Sequence, residues 1–217
     1  MKTQTRGLFE RELRAGSLEP LREALAAAFE LLAAALGAGG KVLVCGNGGS
    51  AADSEHIVGE LMKGFRSRRE LPASDRERLE RACGAEGRAL AGRLQRALPA
   101  ISLVSQVSLG TAVANDQGAD LVFAQQVYGY GRAGDALIAI STSGNAANVL
   151  AACRTARAFG LKVLGMSGAE GGELARVCDL CLRVPASDTA EVQVWHLRCY
   201  HLLCALLEAE LLGQGPA

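Results

Sequence analysis

Residues 41–53 read Lys41-Val42-Leu43-Val44-Cys45-Gly46-Asn47-Gly48-Gly49-Ser50-Ala51-Ala52-Asp53, and a helical pattern continues from Ala51 to Phe65. A short apolar run that ends in glycine and gives way to a 3.6-residue period reads as strand, loop and helix. The unit returns at Ala136-Leu137-Ile138-Ala139-Ile140, the polar loop Ser141-Thr142-Ser143-Gly144-Asn145 and a helix from Ala146 to Phe159. Further strand-like runs lie at Ala100 to Val104, Lys162 to Met166 and Leu180 to Val184. Short apolar runs alternating with helices predict a parallel sheet covered on both faces.

Outward from these units, residues 8–37 read as helical, with Gly16 and Pro20 marking a break. Leu18, Leu21, Leu25, Phe29, Leu32 and Leu36 form a long apolar stripe, which predicts packing against a second subunit. A final helix is expected from Thr189 to Leu212, followed by a frayed Gly215-Pro216-Ala217 tail. Residues 66–96 break the alternation: nine arginines against five acids, no strand-like run, and Leu79, Leu90 and Leu94 at spacings for two short amphipathic helices. This segment reads as an insertion, either a solvated helical hairpin or a cap over the mouth of a site. Residues 1–217 are thus one domain, with an N-terminal helical extension over 1–37 and an insertion over 66–96.

The 217 residues and 22.6 kDa suit one domain, and 49% hydrophobic residues suffice for a core. Lys+Arg and Asp+Glu both total 23 and aromatics are 4%, so no basic field or stacking platform favours nucleic acid. No apolar run reaches bilayer length and Met1 to Arg6 lacks a signal-like apolar core, so no membrane role is expected. Seven cysteines inside apolar segments predict free thiols in a reducing cytoplasm. Cys178-Asp179-Leu180-Cys181 is a lone C-x-x-C running into a strand, so it reads as structural thiols rather than a zinc ribbon or a redox motif.

Gly46 to Ala51 formally matches a dinucleotide pattern, but no acidic residue follows a second strand about 20 positions on. The loop still offers glycines for close approach and helix N-terminal amides for an anion. Ser141 to Asn145 repeats the device with hydroxyls. Either loop alone also serves as an ordinary turn with Ser or Asn capping. Two of them on one parallel sheet favour a small phosphate-bearing ligand in the crevice at the strands' carboxyl ends.

His56 and Glu60, at i and i+4, share a helix face; Gln193 and His201 lie two turns apart on one face of the last helix, with His196 about 60° away. His, Glu, Gln and His would make a mixed N/O site for zinc or a similar divalent ion. Spacing alone equally allows ordinary helix residues, since nothing in it forces the two helices together.

These motifs in their order resemble the sugar isomerase (SIS) domain family, nearest its sedoheptulose 7-phosphate isomerases. They are Gly46 to Asp53 with His56 and Glu60, Ala114-Asn115-Asp116, Ile140 to Asn145, and Asp188-Thr189-Ala190 with Gln193 and His201. The resemblance implies a flavodoxin-like five-stranded parallel sheet, a homotetramer with intersubunit sites, and zinc on His56, Glu60, Gln193 and His201. It implies sugar-phosphate contacts at Asn47, Gly48, Gly49, Asn115, Asp116, Ser141, Thr142 and Ser143, with Gln193 beside them. Ser50 lies next to these and would add a hydroxyl. Glu60 and His201 would be the acid–base pair of an aldose–ketose isomerase. Two departures stand out: Ala146 replaces a serine that the family uses on substrate, and residues 66–96 replace a shorter loop. They leave open a different sugar phosphate; a non-catalytic SIS regulator is the other alternative, against which Glu60 and His201 speak, since such relatives typically lose both.

Overall fold

The computed structural model describes residues 1–213; the expected fray of residues 215–217 lies outside them. Five strands, β1 (Val42–Cys45), β2 (Ala100–Ser102), β3 (Ala136–Ile140), β4 (Lys162–Ser167) and β5 (Leu180–Arg183), form an all-parallel sheet in the order β2-β1-β3-β4-β5. β1 and β3 are buried at every position, which is why they read as unbroken apolar runs. Strand order reverses between β1 and β3, so the crevice expected for a ligand opens where residues 46–50 and 141–145 leave the sheet.

One face carries α1 (Thr3–Ala15), α2 (Arg22–Gly37), α3 (Gly49–Met62) and α9 (Thr189–Leu211), packed on Val42, Val44, Ile138 and Ile140. The other carries α6 (Val122–Tyr130), α7 (Ala147–Ala158) and the one-turn α8 (Leu174–Val177), packed on Leu43, Cys45, Leu137 and Ala139. α5 (Val107–Asp116) precedes α6. Neither α5 nor α6 was legible; α5 buries only Val113 and holds Gly110 mid-helix, which leaves no apolar stripe.

The N-terminal segment corrects one expectation and extends another. All six residues of the stripe, Leu18 to Leu36, are buried inside this chain, where α2 lies against α9 and the sheet. The stripe is therefore core and needs no second subunit to cover it. α1 also starts at Thr3, ahead of the apolar period, because its first turn is polar except where Thr5 turns inward. The break falls where expected, with Ser17 at φ +55°.

Within the 66–96 segment, α4 (Ala73–Ala91) is two helices meeting at Gly84, φ +55°. The legs close on each other so tightly that a Cβ on Gly87 would lie 2.0 Å from the Leu79 carbonyl oxygen. Both legs are exposed along most of their length; before them Arg66, Arg68 and Glu70 are exposed, and Arg69 alone turns inward, 3% exposed.

His196, passed over as a ligand, is fully buried in α9, and among the described residues neither ring nitrogen has a hydrogen-bond partner. Burial lowers its pKa from 6.5 to about 4, against a smaller opposing influence of the Ser167 backbone. Below pH 6.5 the unfolded chain takes up a proton that the folded chain refuses until about pH 4. Stability therefore falls as pH drops through that window, by roughly 3 kcal/mol. The urea midpoint of His196→Leu should fall less between pH 7 and pH 4.5 than that of the parent. Equal slopes would assign the acid sensitivity elsewhere.

Candidate active site

Glycine is required where β1 turns into α3. A Cβ on Gly46 would sit 2.6 Å from the Ser50 carbonyl oxygen, and Gly48, the N-cap of α3, has φ +55° and ψ −121°. Asn47 exchanges two side-chain hydrogen bonds with Asn148 of α7, at 2.8 and 2.9 Å, and so ties this loop to the start of the helix behind the second loop. Ser50 is 4% exposed, behind the loop.

The second loop is braced from below. Ser141 N donates to Met166 O at 3.0 Å, Gly144 N donates to Ser141 O at 3.0 Å, and Asn145 Oδ1 accepts from Glu173 N at 3.0 Å. Gly144 lies at φ +70°, and a Cβ there would meet the Gly171 carbonyl at 2.1 Å. Ser141 is buried, Thr142 half-buried and Ser143 exposed. Ala146 is the N-cap of α7 and leaves that helix without a side-chain cap.

α3 and α9 run side by side. Gly49 admits the Gln193 side chain so closely that a Cβ would lie 2.3 Å from Nε2. α9 is started by Asp188, whose Oδ1 accepts from Ala190 N and Glu191 N at 3.0 and 3.1 Å. At their far ends the two helices are clamped by a buried ion pair. Arg69 Nε donates to Glu208 Oε1 at 2.6 Å, and its other nitrogens donate to the Leu61 and Glu60 carbonyls at 2.6 and 2.8 Å. Glu208 also accepts from the backbone of Phe65 and Arg66, both at 2.9 Å.

Between these fastenings His56 Nε2 lies 3.1 Å from Glu60 Oε1 and 3.5 Å from His201 Nε2. His56 Nδ1 is 2.9 Å from the Tyr200 hydroxyl, which donates to Asp53 Oδ1 at 3.2 Å. With Tyr200 donating to Asp53, His56 Nδ1–H donates to Tyr200 and the Nε2 lone pair faces Glu60 and His201, an arrangement that calls for a proton or a cation between them. Burial raises the Asp53 carboxyl, opposed by the Tyr200 hydrogen bond, and among the described residues Asp53 Oδ2 is buried without a partner. Burial first, then neighbouring His56, holds His201 below the ordinary histidine range, so it is neutral near pH 7.

The structure thus brings together His56, Glu60 and His201 within one chain. Gln193 stands at the glycine loop, and among the described residues no hydrogen bond joins it to those three. Asn115 and Asp116 pair with each other at 2.8 Å on the exposed end of α5, and no hydrogen bond among the described residues links them to the cluster. Sequence reasoning gave no role to Asp53, Tyr200, Asn148, Arg69 or Glu208. Asp53 had a signal, one turn before His56; Arg69 and Glu208, 139 residues apart, had none.

Among the described residues no three His, Cys, Asp or Glu side chains stand as a finished metal cage. The donor chemistry nevertheless suits a cation: an imidazole lone pair, a second neutral imidazole and a carboxylate face one another, and the first imidazole is oriented by a hydroxyl and a carboxylate behind it.

The model of the SIS domain matches residues 11–75 and 80–168. The phosphoheptose isomerase of Rhodospirillum rubrum is 44% identical over 92% of this chain and 90% of its own length. That of Burkholderia pseudomallei is 40% identical over 83% and 79%. Among solved structures, the phosphoheptose isomerase of Neisseria gonorrhoeae superposes with a TM-score of 0.72 at 33% identity, covering 95% of this chain and 97% of that one. The Francisella tularensis enzyme gives 0.73 at 31%, covering 97% and 100%. With the five-stranded sheet, the two polar loops and the α3–α9 cluster in place, the chain belongs to the SIS domain family, within its phosphoheptose isomerase group.

Proposed function

We propose that this chain is a phosphosugar aldose–ketose isomerase that interconverts sedoheptulose 7-phosphate and D-glycero-D-manno-heptose 7-phosphate. The observation that carries the reading is the convergence of Glu60, His56 and His201 on two helices that start or dock at the phosphate-type loops. Gln193, at the first loop, and His201 are eight residues apart on α9, about 12 Å along the helix. The substrate lies with its phosphate on Ser141 to Ser143 and its carbonyl end beside Glu60.

Glu60 takes a proton from the carbon next to the ketose carbonyl, giving an enediol(ate), and returns it to the neighbouring carbon to give the aldose. His201, neutral near pH 7, moves the second proton between the two substrate oxygens. Tyr200 and Asp53 hold the His56 ring in place. Asp116 orients sugar hydroxyls. Zinc or a similar divalent ion, on His56, Glu60 and His201 with Gln193 as the fourth ligand, would polarise the carbonyl and stabilise negative charge on oxygen. The working assembly is a cytoplasmic homotetramer whose sites are completed between subunits. Among the described residues no helix is long and apolar enough to cross a membrane.

Incubation of the purified chain with sedoheptulose 7-phosphate and a panel of other ketose phosphates, with and without zinc, tests the reading. Turnover of the heptulose above the others supports it; turnover of another sugar alone overturns the substrate assignment, and none at all overturns the activity.

Ala146→Ser should add a hydroxyl at the α7 N-cap. A helix cap is worth about 1 kcal/mol. A further hydrogen bond to a phosphate is worth roughly 1.5–3 kcal/mol. The variant should show a raised melting temperature and a KM lowered by about tenfold or more. An unchanged KM would place the phosphate away from the α7 N-terminus.

A further inference from the structure

Cys178-Asp179-Leu180-Cys181 joins α8 to the amino end of β5, an edge strand, away from the crevice at the strands' carboxyl ends. Asp179 fixes the segment on β4: its N donates to Val163 O at 3.0 Å, and its Oδ2 accepts from Val163 N at 2.8 Å. The register places Gly165 of β4 directly beside Cys181 of β5, so side chains at both positions rise from the same face. Gly165 has none, and Leu174 and Cys178 fill the space: a Cβ on Gly165 would lie 3.0 Å from Leu174 Cγ and 3.1 Å from Cys178 Sγ. The absent side chain leaves room for Cys178 Sγ beside the position of Cys181 across the two strands. Both are half-buried, in reach of small reagents, whereas Cys45, Cys153, Cys199 and Cys204 are buried.

We propose that Cys178 and Cys181 are a reversible dithiol–disulfide couple, a redox modification site separate from the α3–α9 cluster. Its partner is a low-molecular-weight disulfide such as oxidised glutathione. The Cys178 thiolate attacks one sulfur of that disulfide, forming a mixed disulfide and expelling one thiolate. Cys181 gives up its proton to that thiolate and attacks Cys178 Sγ, forming the Cys178–Cys181 bond and expelling the second thiolate, which takes up a proton from solvent. Two protein thiols are oxidised and one small disulfide is reduced to two thiols. The neighbouring Cys181 thiol lowers the Cys178 thiol, despite partial burial, while Cys178 and burial push Cys181 up.

The intact chain, equilibrated with excess oxidised glutathione, alkylated and mapped by mass spectrometry without reduction, tests this. The expected result is a peptide spanning residues 178–181 lighter by two hydrogens and restored by a reductant. Cys181→Ser should instead trap glutathione on Cys178. At pH 7 Cys178 should be alkylated at least as fast as the exposed Cys83, despite its half-burial, and more slowly as the pH falls. The proposal is overturned if Cys83 is glutathionylated while Cys178 and Cys181 of the parent chain stay reduced, or if the disulfide maps to another pair such as Cys153 and Cys178.

Discussion

Glu60→Gln is expected to lower kcat by about 10²–10⁴-fold, the range for loss of a positioned proton-transfer group. The amide matches the carboxylate in shape and still reaches His56, but it cannot accept a proton from carbon. The fold should barely register the change. The substitution removes the ion pair with Lys63, whose side chain is 62% exposed against 13% for Glu60, and a pair open to solvent on the lysine side contributes little to stability. kcat and kcat/KM should therefore fall together, the signature of an interaction made in the transition state. Stability to urea should stay within about 0.5 kcal/mol of the parent. His201→Ala should follow the same pattern. Full turnover in either variant would remove that residue from the chemistry.

Arg69→Met is expected to have the largest effect on stability. Arg69 and Glu208 have side chains 1% and 4% exposed, and the arginine also satisfies the last carbonyls of α3. Removing one member of a buried pair leaves the other charge without its counter-ion and costs about 3–5 kcal/mol. Against a domain stability of about 5–15 kcal/mol, that is a large fraction of the whole. The double variant Arg69→Met with Glu208→Met removes the stranded charge, so it should recover part of that stability; a double-mutant cycle in urea measures how much. A single variant as stable as the parent would show that the clamp does not hold α3 against α9. Because the clamp grips the carbonyl of Glu60 itself, the single variant should also lose turnover at temperatures where it remains folded.

The parts legible in the sequence were those whose signal is local. β1 and β3 are buried on both faces and so read as continuous apolar runs, and Gly46 and Gly48 announce a turn that a side chain would obstruct or strain. His56 and Glu60 declare a shared face by their spacing. What was hidden depends on contacts between distant residues. Arg69 sits in an arginine-rich stretch that looks uniformly solvated, and only the fold shows that it turns inward to meet Glu208. The α2 stripe was visible, but what covers it was not: the partner is α9 of the same chain, at the far end of the sequence, rather than another subunit. α5 escaped because a helix with one buried residue has no period to detect. The pairing of α3 with α9, on which the chemistry rests, follows from Gly49 accepting the Gln193 side chain, a fit that no spacing rule expresses.

The most direct test of the central claim is to incubate the intact chain with sedoheptulose 7-phosphate in deuterated water, with zinc present, and follow the products by NMR. Proton transfer by Glu60 predicts formation of the aldoheptose 7-phosphate with solvent deuterium at C2 in part of the product, and loss of both signals in Glu60→Gln. An intact chain that forms no aldose with or without zinc, or a Glu60→Gln variant that forms it at the parent rate, would contradict the account.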